Sequence, residues 1–115
     1  MKDNVVHHKS KKFAIRVINI FKFLQSQKQE FILSKQLLRS GTAIGALVKE
    51  SEFAQSRKDF LNKLYIALKE ANETQYWLEL LHETEYITKT EFDSISNDCI
   101  ELIKLLVSIT KTLKN

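Results

Sequence analysis

Proline is absent from this sequence, glycine occurs twice and cysteine once. Tight turns draw on glycine and proline, so their scarcity argues against a sandwich, a barrel or a glycine-cradled phosphate loop. One cysteine cannot build a disulfide framework. It fits a reducing compartment, and the chain reads as cytoplasmic. Long apolar runs are missing as well. The longest covers five residues, Leu64 to Leu68, against the roughly 20 that a transmembrane helix needs. The opening Met1-Lys2-Asp3-Asn4-Val5-Val6-His7-His8 has no apolar core of a secretory leader. No membrane partner is expected.

What is present describes a folded, mildly basic chain. Of its 115 residues, 43% are hydrophobic, and 18 Lys or Arg stand against 14 Asp or Glu, a net charge of +4. That length implies a single domain over 1–115, large enough for one core without metal or disulfide staples. The positive charge is concentrated at one end. Residues 1–28 hold seven Lys or Arg and one Asp, a balance of +6, whereas residues 29–115 hold eleven basic and thirteen acidic groups, a balance of −2.

Four amphipathic segments follow one another, at about 9–27, 31–54, 57–83 and 89–113. Ser10 is a candidate N-cap for the first. Ser56-Arg57-Lys58-Asp59 resembles a capping box, and Thr88-Lys89-Thr90-Glu91 has its Thr-x-x-Glu spacing. In the third segment Phe60, Leu64, Ala67, Ala71, Thr74, Leu78 and Leu81 alternate steps of four and three. Phe92, Ile95, Cys99, Leu102, Leu106, Ile109 and Leu113 do the same in the fourth. Such seams belong to helix bundles. Short connections make sequential helices antiparallel, so the fold class is all-α, an antiparallel up-down-up-down four-helix bundle. Nine of the twelve residues from Phe13 to Leu24 are apolar, more than an edge helix of a monomer should carry. Leu105 and Val107 add apolar surface off the fourth seam. This excess predicts burial between copies, hence a homo-oligomer.

No constellation points to catalysis, and the chain is read as a non-enzyme that needs no cofactor. Gly41 and Gly45 lie four apart within the second helix, where they make a flat face for close packing; neither phosphate-loop pattern is present. With the turn between helices two and three near Gln55, Arg39 falls at the height of Glu70 and Glu73, which predicts a structural ion pair. Glu79-Leu80-Leu81-His82 matches one Glu-x-x-His element of a di-iron bundle, but the second copy is missing, so no metal is expected. Cys99 sits at a core position, as a buried thiol. Tyr76 and Trp77 read as core or subunit-interface aromatics. Lys9, Lys12, Arg16, Asn19 and Lys22 recur at steps of three and four on one face of the first helix, and Lys35 adds charge on the second. This stripe is a candidate phosphate-binding surface; the alternative is an ordinary solvated face.

Two motifs carry a family resemblance. The first is Ser34-Lys35-Gln36-Leu37-Leu38-Arg39-Ser40-Gly41-Thr42-Ala43-Ile44-Gly45-Ala46, followed by Glu50. The second joins Phe60, Lys63-Leu64, Ala67-Leu68-Lys69-Glu70-Ala71, Glu73-Thr74 and Tyr76-Trp77-Leu78. Together they resemble the second and third helices of the four-helix-bundle proteins encoded in 23S rRNA intervening sequences. The motifs cover about half of the chain. Ala43 stands where that family often has Ser, and Leu47 where it often has Asn. The resemblance implies a bundle that assembles as a homopentamer, with ribosomal RNA or another nucleic acid as partner. It also implies kinship with the accessory variability determinant of diversity-generating retroelements, a basic pentamer that binds a reverse transcriptase and nucleic acid. A partner of a reverse transcriptase is therefore the alternative function. Arg39, Gly41, Gly45, Glu50, Glu70, Glu73, Tyr76 and Trp77 carry over as fold and interface residues.

Overall fold

Local hydrogen bonding explains where three of the four helices, all but the first, begin. The computed structural model describes the backbone of residues 2–114 and the side chains of residues 5–113. It contains four helices and, among the described residues, no strand: α1 (Lys2–Lys28), α2 (Leu33–Ser51), α3 (Arg57–Glu83) and α4 (Lys89–Lys114). Thr88 and Glu91 close the capping box of α4. The Glu91 N–H donates to Thr88 Oγ1 at 3.2 Å, and the Thr88 N–H donates to Glu91 Oε1 at 2.8 Å. At α3 the Asp59 N–H donates to Ser56 Oγ at 3.0 Å, and the Asp59 carboxylate accepts from the Gln55 N–H at 3.2 Å.

Two helix starts differ from the sequence reading. Helix α1 begins at Lys2, so Ser10 lies in mid-helix instead of at a cap. It is buried, and its hydroxyl donates to the His7 carbonyl at 3.0 Å. Helix α2 begins at Leu33, and its flanking Ile32 offers no side-chain cap. Glu30 caps instead. Its carboxylate accepts from the N–H groups of Ile32 (3.2 Å), Leu33 (3.0 Å) and Ser34 (2.7 Å), and Ser34 Oγ donates back to the Glu30 carbonyl at 2.8 Å. Three of the orphan donors at the helix start are thereby satisfied by one side chain. Burial opposes the charge on Glu30, but the three backbone donors outweigh it and hold the carboxyl below its ordinary pKa. The same helix ends at Ser51, earlier than expected, and residues 52–56 make the turn to α3.

Helix ends here use no glycine. Gln29 (φ 55°) and Glu85 (φ 68°) adopt the left-handed conformation after α1 and α3. Beyond α3, the Tyr86 N–H donates to the Leu81 carbonyl at 2.8 Å and the Glu85 N–H to the His82 carbonyl at 3.0 Å. This is a Schellman closure, which satisfies carbonyls that the helix leaves unpaired.

The seams read from the sequence form the core. In α3, Leu64, Ala67, Ala71, Thr74, Leu78 and Leu81 are buried, and in α4 so are Ile95, Cys99, Leu102 and Leu106. They meet Phe13, Val17 and Leu24 of α1 and Leu37, Ile44 and Val48 of α2. Each helix packs on its sequence neighbours and α1 also on α4; among the described residues the diagonal pairs make no close backbone approach. Cross-helix contacts follow one rule: residue numbers rise along one helix as they fall along its neighbour. Gly41 faces Val17 and Gly45 faces Ser10. Lys63 pairs with Glu50 at 3.5 Å. Gln75 bonds Ser96 at 2.8 Å, and Cys99 Sγ lies 3.4 Å from the Ala71 carbonyl. The α1–α4 seam is the most thinly packed of the four, in a molecule of 44 × 21 × 19 Å.

The two glycines permit the closest of these contacts. A β-carbon on Gly41 would lie 2.8 Å from both methyls of Val17, and one on Gly45 would lie 3.3 Å from the Ser10 carbonyl oxygen. Val17 is fully buried and has one preferred rotamer in a helix, so it cannot swing away.

Two stability predictions follow from these ends and contacts. Gly41→Ala gains about 1 kcal/mol of helix propensity but overpacks Val17 at a cost of about 1–3 kcal/mol. The expected net loss is read as a lowered urea midpoint, partly restored by Val17→Ala, while Gly45→Ala is close to neutral. A Gly41→Ala protein as stable as the parent would refute this packing account. For Glu30, the depressed native pKa means that its stabilisation is present above the ordinary glutamate value of about 4.3. It is lost as pH falls through the lower native value. Glu30→Gln should therefore be less stable at pH 7, by about 0.5–2 kcal/mol on the scale of lost caps. That difference should shrink below pH of about 4. A gap that stays constant in acid would contradict the assignment.

Candidate functional site

The charged side chains divide among three seams of the bundle. On the α2–α3 seam the structure brings Arg39, Glu70 and Glu73 together. Arg39 Nη1 lies 3.3 Å from both Glu70 carboxylate oxygens, and Nη2 donates to Glu73. Its hydrogen bond to Glu70, with a further contribution from Glu73, raises the guanidinium pKa against a smaller opposing effect of burial. Glu73 also accepts from Trp77 Nε1 at 3.1 Å. Beneath this network the Ser40 and Thr74 hydroxyls meet at 2.9 Å in a buried contact. Arg39 is half exposed, with Glu70 and Glu73 more shielded. Each acidic group is engaged by the arginine, which is a structural arrangement and leaves no carboxylate poised for proton transfer.

The two aromatics of this region part company. Trp77 is partly buried and packed against the core. Tyr76 is 53% exposed, which removes it from the core and leaves the subunit-interface reading. Its ring meets Trp77 edge-on, centroids 5.3 Å apart.

On the α1–α4 seam, part of the basic stripe meets acidic partners. Lys9 Nζ bonds Glu101 at 3.0 Å. Arg16 Nη1 bonds Asp98 at 2.6 Å and the Ser94 carbonyl at 3.3 Å, and Nη2 reaches Ser94 Oγ at 2.9 Å. Lys12 lines the same groove beside Phe13, Asp98 and Glu101, around a cavity of about 300 Å³. A second cavity of about 460 Å³ continues the groove past Asn19, Ile20 and Phe23 toward Thr90 and Glu91. These pairs are roughly two-fifths exposed, so each contributes at most about 1 kcal/mol. Their larger consequence is local charge compensation along that side of the molecule.

The sequence reading missed Ser94, Asp98 and Glu101 as partners of the stripe. Their steps of four and three mirror those of Arg16, Lys12 and Lys9, a signal that was available. Helices α1 and α4 are not joined by a turn, however, so no loop fixed their relative height in advance as Gln55 did for Arg39. Lys22 and Lys35 lie elsewhere. Both are exposed, and among the described residues neither has a carboxylate within ion-pair distance.

Groups that might suggest chemistry have structural occupations. His82 stacks on Phe92, centroids 4.6 Å apart and planes at 14°. Among the described residues no three His, Cys, Asp or Glu gather around a point that could hold a metal ion. Burial pushes the Cys99 thiol up to about 12, which keeps it protonated and unreactive at neutral pH. No helix among the described residues is long and apolar enough to cross a membrane.

A four-helix, all-α protein with a glycine-mediated α1–α2 contact and an arginine clamp between α2 and α3 is the class that this fold defines. The model of the 23S rRNA-intervening sequence protein family matches residues 2–108, and the chain belongs to that family. It is also similar to a crystal structure described as a protein of unknown function from the S23 ribosomal protein family of Bacteroides thetaiotaomicron VPI-5482. The two share 63% identity over 96% of this chain and 99% of that one, with a TM-score of 0.95. No curated protein matches the chain.

The clamp gives a third prediction. Arg39→Met should lower stability by about 1 kcal/mol, the upper range for a half-exposed pair in a network. Combined with Glu73→Gln it should cost less than the two single changes together, because both remove the same contact. An unchanged denaturation midpoint for Arg39→Met would dismiss the clamp as a stabilising element.

Proposed function

We propose that this protein is a non-enzymatic, homo-oligomeric helical-bundle protein that binds structured RNA through basic surfaces on α1 and α2. The opposed residue order across every contacting seam supports the antiparallel up-down-up-down bundle. Apolar groups left open on several helices support self-association: Ile15 at 52%, Tyr65 at 40%, Tyr76 at 53%, Ile100 at 38% and Val107 at 44% exposure. Such surface is unusual for a monomer when it is contiguous. The pentameric count rests on the family resemblance.

One observation carries the RNA-binding reading. Lys22 and Lys35 stay exposed and free of carboxylate partners among the described residues, although Lys9 and Arg16 are engaged by α4. Repetition of such cations around an oligomer would multiply phosphate contacts. Binding of this kind is electrostatic, with shape contributing and little readout of base identity.

Light scattering combined with a salt-series titration of a structured ribosomal RNA fragment tests the reading. The expected result is a homo-oligomer whose affinity falls linearly with salt on logarithmic axes, with a slope of about −0.7 to −0.9 per phosphate contact. A protein that stays monomeric at tens of micromolar defeats the assembly, and absence of RNA binding at low salt defeats the function.

A further inference from the structure

The cations of α1 and α2 fall on two sides of the molecule with opposite electrostatic surroundings. Lys9, Lys12 and Arg16 face α4, where Asp98 and Glu101 share their groove. The other side is formed by the outer surfaces of α1 and α2. From His7 to Lys49 the chain contains a single carboxylate, Glu30, and it is buried in the α2 cap. Between His7 and Lys49 no other acidic group interrupts this side; Glu50, at the end of α2, pairs with Lys63 of α3, and Glu52 beyond it lies beside His7 and Lys49.

Register places its lysines. Because Val17 faces Gly41 and Ser10 faces Gly45, Lys22 and Lys35 stand at the same height across the α1–α2 seam. Lys11 and Lys49 stand within about a turn of each other nearer the opposite end. All four are exposed. Lys49 has only an exposed contact at 3.8 Å to Glu52, which is weak. At about 1.5 Å per residue, the two clusters are roughly 16 Å apart along α1 and roughly 21 Å apart along α2. Between them lie Ala14, Ile15, Ile18, Leu38, Thr42 and Ala46, a mostly aliphatic surface on which Ile15 stands 52% exposed. No aromatic ring is among them; the nearest are Phe21, partly buried beside Lys22, and Phe31, exposed beyond Lys35, so the stretch between the clusters has no row of rings on which successive bases could stack.

We infer that the α1–α2 outer face, through Lys11, Lys22, Lys35 and Lys49, is a docking surface for the phosphate backbone of a nucleic-acid duplex, and that the α1–α4 side of the stripe is not. This inference rests on the RNA-binding reading and locates it. The two lysine clusters, roughly 16–21 Å apart along the helices, are spaced to reach separate phosphates of one duplex, on A-form RNA across its wide, shallow minor groove. A single strand, which relies on stacking, is a poorer occupant of this face.

Two variants and one change of ligand test the inference, each variant checked by light scattering and circular dichroism for an unaltered assembly. Lys11→Gln/Lys22→Gln/Lys35→Gln should weaken binding of a short RNA duplex about tenfold or more and flatten the salt slope by two to three units, about one per lysine. Lys9→Gln/Arg16→Gln should leave the affinity within about twofold, because those groups already answer to α4 carboxylates. A DNA duplex of equal length reports whether the 2′-hydroxyl matters, and binding of either duplex through these lysines supports the face. The reverse pattern, loss in the second variant and none in the first, overturns this face while RNA binding by the protein stands. Preference for single-stranded RNA, or for vesicles containing phosphatidylserine over any duplex, overturns it also. No RNA binding by the parent protein at low salt removes the reading on which it rests.

Discussion

Val17 occupies the space next to Gly41 that a β-carbon would need, 2.8 Å from where that carbon would be. With no β-carbon at Gly41, the α2 backbone seats the Val17 side chain, and one turn on Gly45 lies against the Ser10 backbone; the rest of the bundle is arranged around this contact. Helix α2 turns its next face to α3, where Ser40 and Thr74 meet in the interior and Arg39 reaches over them to two carboxylates. Helix α3 in turn buries Ala71 against Cys99 of α4. The circuit closes at the α1–α4 seam, which is the loosest. Short side chains cannot span that gap, so Lys9 and Arg16 bridge it with charged ends. Long basic side chains do this well, because their stems lie on apolar surface while their heads reach partners.

That arrangement decides what the basic stripe can do. Seen as a sequence it is one uniform ridge of cations. In the bundle its inner members face Asp98 and Glu101, and a polyanion approaching there would meet those carboxylates as well as the lysines. Exposed ion pairs are worth little to stability, yet they matter for association, because like charges near the contact both slow encounter and weaken it. Lys22 and Lys35, without such neighbours among the described residues, lie around the corner on the α1–α2 side.

Much of this was legible in the chain. The α3 and α4 seams, the Thr88 and Ser56 caps and the glycine face follow from spacing alone, because each is a pattern within or beside one helix; that Val17 and Ser10 of α1 cover the glycines does not. Arg39 and Glu70 could be placed at one height because a short turn joins their helices. Other features were hidden for stated reasons. Ser10 resembles a cap, but the helix continues upstream to Lys2, and no local rule marks where an amphipathic pattern should begin when polar residues can occupy a helix as readily as a loop. Glu30 is not a conventional N-cap residue; it acts from two to four residues away, which a search for Ser, Thr, Asp or Asn beside the first turn passes over. The pairing of Arg16 with Asp98 depends on how α1 and α4 rotate against each other, and that is set by packing of the entire core.

The placement of glycine changes what its scarcity means. Low glycine suggested long helices and no phosphate loop, and the helices are long. It did not prevent left-handed turns. Gln29 and Glu85 adopt positive φ, each at a cost of order 1–3 kcal/mol for a side chain in that region. Surrounding contacts offset it: after α3 through the carbonyls recovered by Tyr86 and Glu85, after α1 through the tight entry that sets Glu30 over the start of α2. Turns can therefore dispense with glycine when neighbouring hydrogen bonds enforce the geometry. The Gly41 contact cannot, since no hydrogen bond creates room for a β-carbon that would lie 2.8 Å from the Val17 methyls. Gly41 stands where sterics admit the least alternative, whereas Gly45 lies against the Ser10 backbone at a distance that an alanine can nearly tolerate.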